Sequence, residues 1–128
     1  MGFEFTPAQN RAIDDRGGAI LVSAAAGSGK TRVLTERLVR RVTEGEQPSD
    51  LDRFLVITYT RAAAAELRER IMTELGKRAA AHPEDRRLRR QQSLCVRAHI
   101  GTIHSFCAEV VRENCHLLSL PPAFTVLD

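Results

Sequence analysis

Residues 22–31, VSAAAGSGKT, end in Gly-Ser-Gly-Lys-Thr, a combination suited to binding phosphate. Glycines let backbone N–H groups converge on an anion, the lysine reaches the β- and γ-phosphates of a nucleotide, and the following Thr binds Mg²⁺. The usual pattern, G-x-x-x-x-G-K-[ST], has Gly where this sequence has Ala24, a small residue expected to suffice at a strand exit. We predict ATP as ligand, with Mg²⁺ on Thr31; the alternative is an ordinary glycine-rich turn. The predicted loop residues are Ala24, Ala25, Ala26, Gly27, Ser28, Gly29, Lys30, Thr31 and Arg32.

The elements around this loop follow a parallel α/β pattern. The apolar run Ala19–Ala24 predicts a strand buried on both faces, and a helix is expected from Lys30 to about Glu44. Further strands are predicted at Arg53–Thr60 and Ala98–Ile103, and further helices up to about Asp15, at about 62–76, at about 84–97 and at 104–114. In the last of these, Phe106, Val110 and Val111 are expected to face inward. Strands alternating with helices predict a parallel sheet flanked by helices.

Gln9 has two interpretations. In Thr6-Pro7-Ala8-Gln9 it completes a capping box at the start of the first helix, with Thr6 as the N-cap. Its amide can also pair with the edge of adenine, accepting from the exocyclic amine and donating to a ring nitrogen.

Polar residues follow the second and third predicted strands. The carboxyl ends of parallel strands meet at one edge of a sheet, where ligands bind. Hydroxyls, helix N-terminal amides and Arg suit the phosphates of a nucleic acid backbone. The alternatives are structural: Thr60 as a helix cap, and His104 as a satisfied structural histidine. The predicted DNA-binding residues are Thr58, Thr60, Arg61, Thr102, His104 and Ser105.

Composition limits the remaining possibilities. The chain of 128 residues is 43% hydrophobic and 27% charged, values typical of a globular domain. The sequence has no apolar run long enough for a bilayer, and its first residues lack a signal-peptide pattern, so we expect a cytoplasmic protein. The cysteines Cys95, Cys107 and Cys115 are expected to be reduced. The pairs Cys95/His99 and His104/Cys107 have spacings that a metal site could use, but small buried hydrophobes are the preferred interpretation.

The net charge of +3 is unevenly distributed. Residues 77–97 contain seven basic side chains and two acidic ones, Glu84 and Asp85. Such a run is usually a solvated helix face, and the alternative is a surface that lines a polyanion.

Several of these motifs together resemble superfamily 1 helicases of the UvrD/Rep type. FTPAQ at 5–9 resembles the Q motif, AAAGSGKT at 24–31 the A-x-x-G-x-G-K-T phosphate loop, LVITYTRAAAAEL motif Ia (56–66), and TIHS at 102–105 the T-x-H-S motif. Tyr59 replaces the usual Phe of motif Ia and is expected to stack similarly, whereas Arg61 replaces the usual Asn or Lys. The wording ILVSAAAGSGKT, LRRQQSL, TIHSFC and LPPAF is most similar to the AddA-type helicase/nuclease subunits.

The resemblance implies the N-terminal part of a RecA-like helicase domain 1A, contacts with single-stranded DNA or a duplex end, partnership with a nuclease subunit of the AddB type, no membrane, and a role in double-strand break repair in the bacterial cytoplasm. It also implies that the acidic pair and arginine finger for ATP hydrolysis belong to later motifs. The only Glu-Asp pair, Glu84-Asp85, opens a basic helix, so we expect little or no hydrolysis by this chain alone. Two alternatives stay open: another P-loop NTPase, and a non-catalytic module that binds single-stranded DNA.

Overall fold

The computed structural model describes residues 4–27 and 29–127. Its helices are α1 (Pro7–Asp14), α2 (Lys30–Thr43), α3 (Arg61–Ala81), α4 (Arg86–Leu94) and α5 (Ile103–Glu113), and its strands are β1 (Leu55–Thr58) and β2 (His99–Thr102). Short 3₁₀ helices cover Leu51–Arg53 and Cys115–Leu118. The α/β class is confirmed.

The two strands pair in parallel, with Leu55 opposite His99 and Thr58 opposite Thr102. Helices α3 and α4 connect them, as a parallel pair requires a crossover. One face of the sheet, with Val56 and Ile100, is buried in the core. The other face is about half exposed at Leu55 and Ile57, so the described helices cover this sheet mainly on one side.

The core lies between α2, α3, α4 and the inner face of the sheet. Helix α3 supplies a stripe at four-residue spacing, which includes Leu67, Ile71 and Leu75. The other buried members are Leu38, Val39, Val42, Leu51, Val56, Ala64, Cys95, Ala98 and Ile100.

The predicted strand at Ala19–Ala24 is wrong in this structure: these residues have no regular secondary structure. Leu21 is 93% exposed, and Ile20 and Val22 are also exposed. A strand requires a hydrogen-bonded neighbour, and β1 and β2 pair only with each other within the described residues. The apolar composition of this run is therefore not matched by burial here.

Two helices also differ from expectation. Helix α3 continues through the alanines after Gly76 to Ala81, because alanine favours helix and the first obstacle is Pro83, which disfavours helical backbone at His82. The expected burial of Phe106, Val110 and Val111 is wrong, since α5 has no buried residue and Val110 is exposed.

Candidate functional site

The described part of the predicted phosphate loop has the backbone of an anion-binding turn. Gly27 and Gly29 have φ values of +77° and +86°, in the left-handed region that favours glycine. Gly29 is the N-cap of α2 and provides no side-chain cap for the first N–H groups of the helix. The loop therefore presents a helix N-terminus without a competing side-chain oxygen. Ser28 lies outside the described residues.

Lys30 closes this loop. Its Nζ donates a hydrogen bond to the carbonyl oxygen of Ala24 at 2.9 Å, which joins the two ends of the turn. Ala24 thus contributes through its main chain. Among the described residues Ser119 is the non-glycine residue with positive φ, so Ala24 has a backbone that alanine adopts without strain. These two facts explain how the loop forms without the usual first glycine.

The remaining predicted loop residues, Ala25 and Ala26 before the glycines and Thr31 and Arg32 in the first turn of α2, are all exposed. A cavity of about 410 Å³ beside α2 is lined by Arg32, but also by three carboxylates, Glu36, Glu69 and Glu74. Such a lining disfavours a polyphosphate, so the loop itself is the better phosphate site.

Gln9 forms the predicted capping box and also lies beside the loop. Its Oε1 accepts from the N–H of Thr6 at 2.9 Å, and the hydroxyl of Thr6 accepts from the N–H of Gln9 at 3.3 Å. A methyl group placed on Gly29 would lie 3.3 Å from Gln9 Nε2. The two interpretations of Gln9 are therefore compatible, since the capping oxygen has a second lone pair and the amide nitrogen points toward the phosphate loop.

The structure brings together the two sets of predicted DNA-binding residues. Thr58 and Thr102 end β1 and β2 at the same level of the parallel register. The hydroxyl of Thr58 donates to the carbonyl oxygens of Thr60 at 3.0 Å and of Gly101 at 3.4 Å, so it also joins the strand ends.

Thr60 and Thr102 cap the helices that start at this edge. Thr60 Oγ1 accepts from the N–H of Ala63 at 3.0 Å, and Thr102 Oγ1 accepts from the N–H of Ser105 at 3.2 Å. The Thr102 and Ser105 hydroxyls are also hydrogen-bonded, at 2.9 Å. The capping alternative for Thr60 is confirmed, and the N-termini of α3 and α5 lie side by side beyond the strand ends.

Three side chains around these caps are exposed. Tyr59 is fully exposed at the end of β1, and Arg61 and His104 lie in the first turns of α3 and α5. The exposure of His104 disfavours its interpretation as a buried structural histidine. An aromatic ring, a guanidinium and an imidazole are thus available to a ligand at this edge.

The basic segment is used largely within the protein. Arg87 donates to the carbonyl oxygens of Val42, Pro48 and Ser49, and Arg87 and Arg90 both pair with Asp50, at 3.1 and 2.9 Å. Asp85, part of the Glu-Asp pair, caps α4 by accepting from its first N–H groups. These contacts favour a structural role for this face over a polyanion surface.

Gln91 and Arg68 are structural residues that no sequence pattern singled out. The buried Gln91 accepts from the N–H of Leu51 at 2.8 Å and donates to Asp50 at 2.7 Å. The Gln91 bond is the leading cause of the lowered pKa of the Asp50 carboxyl, which Arg90 and Arg87 lower further. Arg68 on α3 donates to the carbonyl oxygens of Cys95, Ala98 and Ile100, which fixes the approach to β2.

The cysteines are free, and they differ in burial. Cys95 is buried in the core, and burial raises the pKa of its thiol; Cys107 is exposed, and Cys115 is half-buried. Within residues 4–27 and 29–127, no three His, Cys, Asp or Glu side chains are grouped so that they could hold a metal ion. In the same ranges, no helix combines the length and the apolarity needed to cross a membrane.

The loop, the capped strand ends and the parallel pair agree with a comparison to known families. The model of the UvrD/REP helicase N-terminal domain matches residues 5–128, and the chain belongs to this family.

The individual relatives are all AddA proteins, named as ATP-dependent helicase/nuclease subunits. AddA of Thermoanaerobacter sp. (strain X514) is 52% identical over 128 residues, the whole of this chain. AddA of Clostridium novyi (strain NT) is 50% identical over 125 residues, 98% of this chain. The protein of the same name from Exiguobacterium sibiricum is 48% identical over 128 residues. The chain spans about a tenth of the length of these curated relatives.

Proposed function

We propose that this chain is the ATP-binding part of a DNA helicase motor, in which the loop at residues 24–32 holds the nucleotide and the strand ends contact single-stranded DNA. The observation that carries the proposal is the closed loop itself: Lys30 bonded across it to Ala24, positive-φ glycines, and an N-terminus of α2 without a side-chain cap. The relatives named as ATP-dependent helicases support the choice of nucleotide.

On binding, the ammonium of Lys30 would exchange the Ala24 carbonyl for oxygens of the β- and γ-phosphates, a stronger, charge-assisted contact. The donor set fits this role, since it combines a cation, glycines at positive φ and a helix N-terminus. Thr31 would hold Mg²⁺, which neutralises phosphate charge when bound. Gln9, next to Gly29, would read the adenine edge.

Single-stranded DNA would cross the ends of β1 and β2. Two helix N-termini and Arg61 suit successive phosphates, His104 and Ser105 provide further polar contacts, and the exposed ring of Tyr59 suits base stacking. Thr58, Thr60 and Thr102 would act mainly by shaping this edge, since their hydroxyls already bond within the protein.

We further propose that the chain belongs to the first RecA-like domain. The exposed apolar residues Ile20–Val22 and the open edges of the two-stranded sheet are places where further strands of such a sheet would pack. The sequence has no Asp-Glu pair to hold Mg²⁺ and position water, so we expect this chain by itself to bind ATP with little turnover.

For the whole protein, the proposal extends to ATP-driven movement on DNA, partnership with a nuclease subunit of the AddB type, and double-strand break repair in the bacterial cytoplasm. The names of the relatives, which describe them as both helicases and nucleases and as subunits, support this extension.

Calorimetric titration of Mg-ATP and Mg-ADP into the chain and its Lys30→Ala variant tests the nucleotide site. Lys77→Ala is the matched control, because it removes an exposed lysine that pairs with its helix neighbour Glu74. We expect affinity to fall at least tenfold in Lys30→Ala and to be unchanged in Lys77→Ala, with turnover near background. Equal affinity in all three proteins would refute the phosphate loop.

DNA binding is measured on the same samples with a fluorescent oligonucleotide at several salt concentrations. Arg61→Ala is expected to weaken binding and to reduce its salt dependence, because a phosphate contact releases counterions. DNA affinity in a folded chain that binds no nucleotide would instead favour the non-catalytic binding module.

A further inference from the structure

Helix α1 is fastened to the helix that follows the phosphate loop by one guanidinium. Nη1 of Arg37, on α2, lies 2.7 Å from the carbonyl oxygen of Ala12, 3.3 Å from that of Ile13 and 2.7 Å from that of Asp15. These carbonyls belong to the C-terminal end of α1, where the helix has no further N–H groups to offer them. A cation at this end also complements the helix dipole.

The position of Arg37 is central to the α1–α2 contact. Ile13, the fully buried residue of α1, is flanked by two carbonyls that Arg37 contacts. Burial lowers the pKa of the Arg37 guanidinium, and the nearby Arg16 and Arg41 lower it further. The other ion pair between these helices, Arg40 with Asp14 at 3.0 Å, involves a carboxylate that is more than half exposed. Arg37 is therefore the better-shielded of the two connections.

Gln9 lies in the first turn of this same short helix. Its amide nitrogen faces Gly29, just before the start of α2. Gln9 is separated from Ile13 by about 6 Å along the helix axis, at 1.5 Å per residue. A tilt of about 10° around the anchored end would thus move Gln9 by about 1 Å, enough to break a hydrogen bond with a fixed base edge.

We propose that Arg37 is a positioning residue for base selection: by fastening the C-terminal end of α1 to α2, it holds Gln9 at the phosphate loop and so sets the preference for adenine over guanine nucleotides. This inference rests on the proposed reading of adenine by Gln9. Arg37 binds the helix that carries the base-reading amide, whereas the phosphates are held by the loop. Its loss therefore lowers discrimination between bases and leaves polyphosphate affinity unchanged.

The test compares calorimetric Kd values of Mg-ATP, Mg-GTP and inorganic tripolyphosphate for the wild-type chain, Arg37→Met and Arg37→Lys. Arg41→Met is the matched control: it removes the same charge from the same helix, and Arg41 lies near the ring of Phe54 instead of α1. Circular dichroism verifies that each variant is folded. Should Arg37→Met not fold, Arg37→Lys still tests the inference, because a lysine keeps the charge but not the planar fork.

For Arg37→Met we expect the ratio of the GTP and ATP Kd values to fall about tenfold, with the tripolyphosphate Kd equal to that of Arg41→Met. Arg37→Lys is expected to fall between Arg37→Met and the wild type. An unchanged ratio in both Arg37 variants, or an equal weakening of tripolyphosphate and ATP relative to Arg41→Met, would overturn the inference.

Gln9→Ala separates this inference from the function on which it rests. If Gln9→Ala loses discrimination and the Arg37 variants do not, only the role of Arg37 is refuted. If Gln9→Ala keeps full discrimination while Lys30→Ala abolishes binding, the reading of adenine by Gln9 is wrong, and the inference falls with it while the phosphate loop stands.

Discussion

Replacement of Gln91 by leucine should destabilise the fold well beyond what a change of side-chain volume would cause. Gln91 is completely buried, and its amide bonds at both ends, to the N–H of Leu51 and to the carboxylate of Asp50. Leucine has a similar size but no polar atom. The variant would therefore leave the buried N–H of Leu51, just before β1, without its partner.

A buried N–H group left unsatisfied costs about 1–3 kcal/mol, and we take about 2 kcal/mol as the expected loss in the free energy of unfolding. The lost donation to Asp50 acts in the same direction. For a domain of this size, about 2 kcal/mol corresponds to a decrease of about 8 °C in Tm. It is also a substantial part of the about 5–15 kcal/mol that stabilises a typical domain.

Urea denaturation followed by circular dichroism measures this loss. Gln92→Leu is the control, since it makes the same chemical change one residue further along α4 at a half-buried position, and its expected effect is within about 0.5 kcal/mol. If Gln91→Leu were as stable as Gln92→Leu, the hydrogen bonds of Gln91 would not hold the segment before β1, and our account of how α4 supports the sheet would be refuted.

Three further predictions concern Asp50, Thr60 and Gly29. The pKa of Asp50 is lowered by Gln91, Arg90 and Arg87, so its contribution to stability is present above the ordinary value of 3.8 and is lost as pH falls through the lower folded value; urea midpoints between about pH 5 and pH 2 should fall more steeply for wild type than for Asp50→Asn, and parallel curves would contradict this. Thr60→Ala removes the cap of α3 and should cost about 1 kcal/mol in urea denaturation, with Thr60→Ser close to wild type; equal losses in both would argue against the cap. Gly29→Ala places a side chain at φ +86° and 3.3 Å from Gln9, and should cost about 1–2 kcal/mol and weaken Mg-ATP binding in calorimetry, whereas Gly17→Ala, with open space around it, should do neither.

Local chemistry in the sequence was sufficient to predict most helices. Thr6, Thr60 and Thr102 each cap a helix that begins at the next residue, and the glycine before Lys30 places that lysine in the first turn of α2. These signals depend on neighbours within a few residues, so they are visible without tertiary structure. The order of the two described strands and the polar residues after them was also predicted, and the structure places those strand ends side by side.

Burial and long-range partners could not be predicted in the same way. The run Ala19–Ala24 has the composition of a buried strand, yet a strand forms only when another strand pairs with it, and pairing is decided by distant parts of the chain. The basic residues of α4 looked available for a polyanion, whereas the fold places Asp50 and several carbonyls against Arg87 and Arg90.

The sequence by itself determined the chemistry of this protein: a glycine-rich turn ending in Lys30 and Thr31, an amide at Gln9, and polar residues after two strands. Tertiary structure alone decided how these groups are held, by Arg37 on the end of α1 and by Arg68 on the approach to β2. The reason is physical: reactive groups must have particular chemical types, which a sequence displays. A supporting arginine differs from a surface arginine only by the carbonyls that folding brings to it.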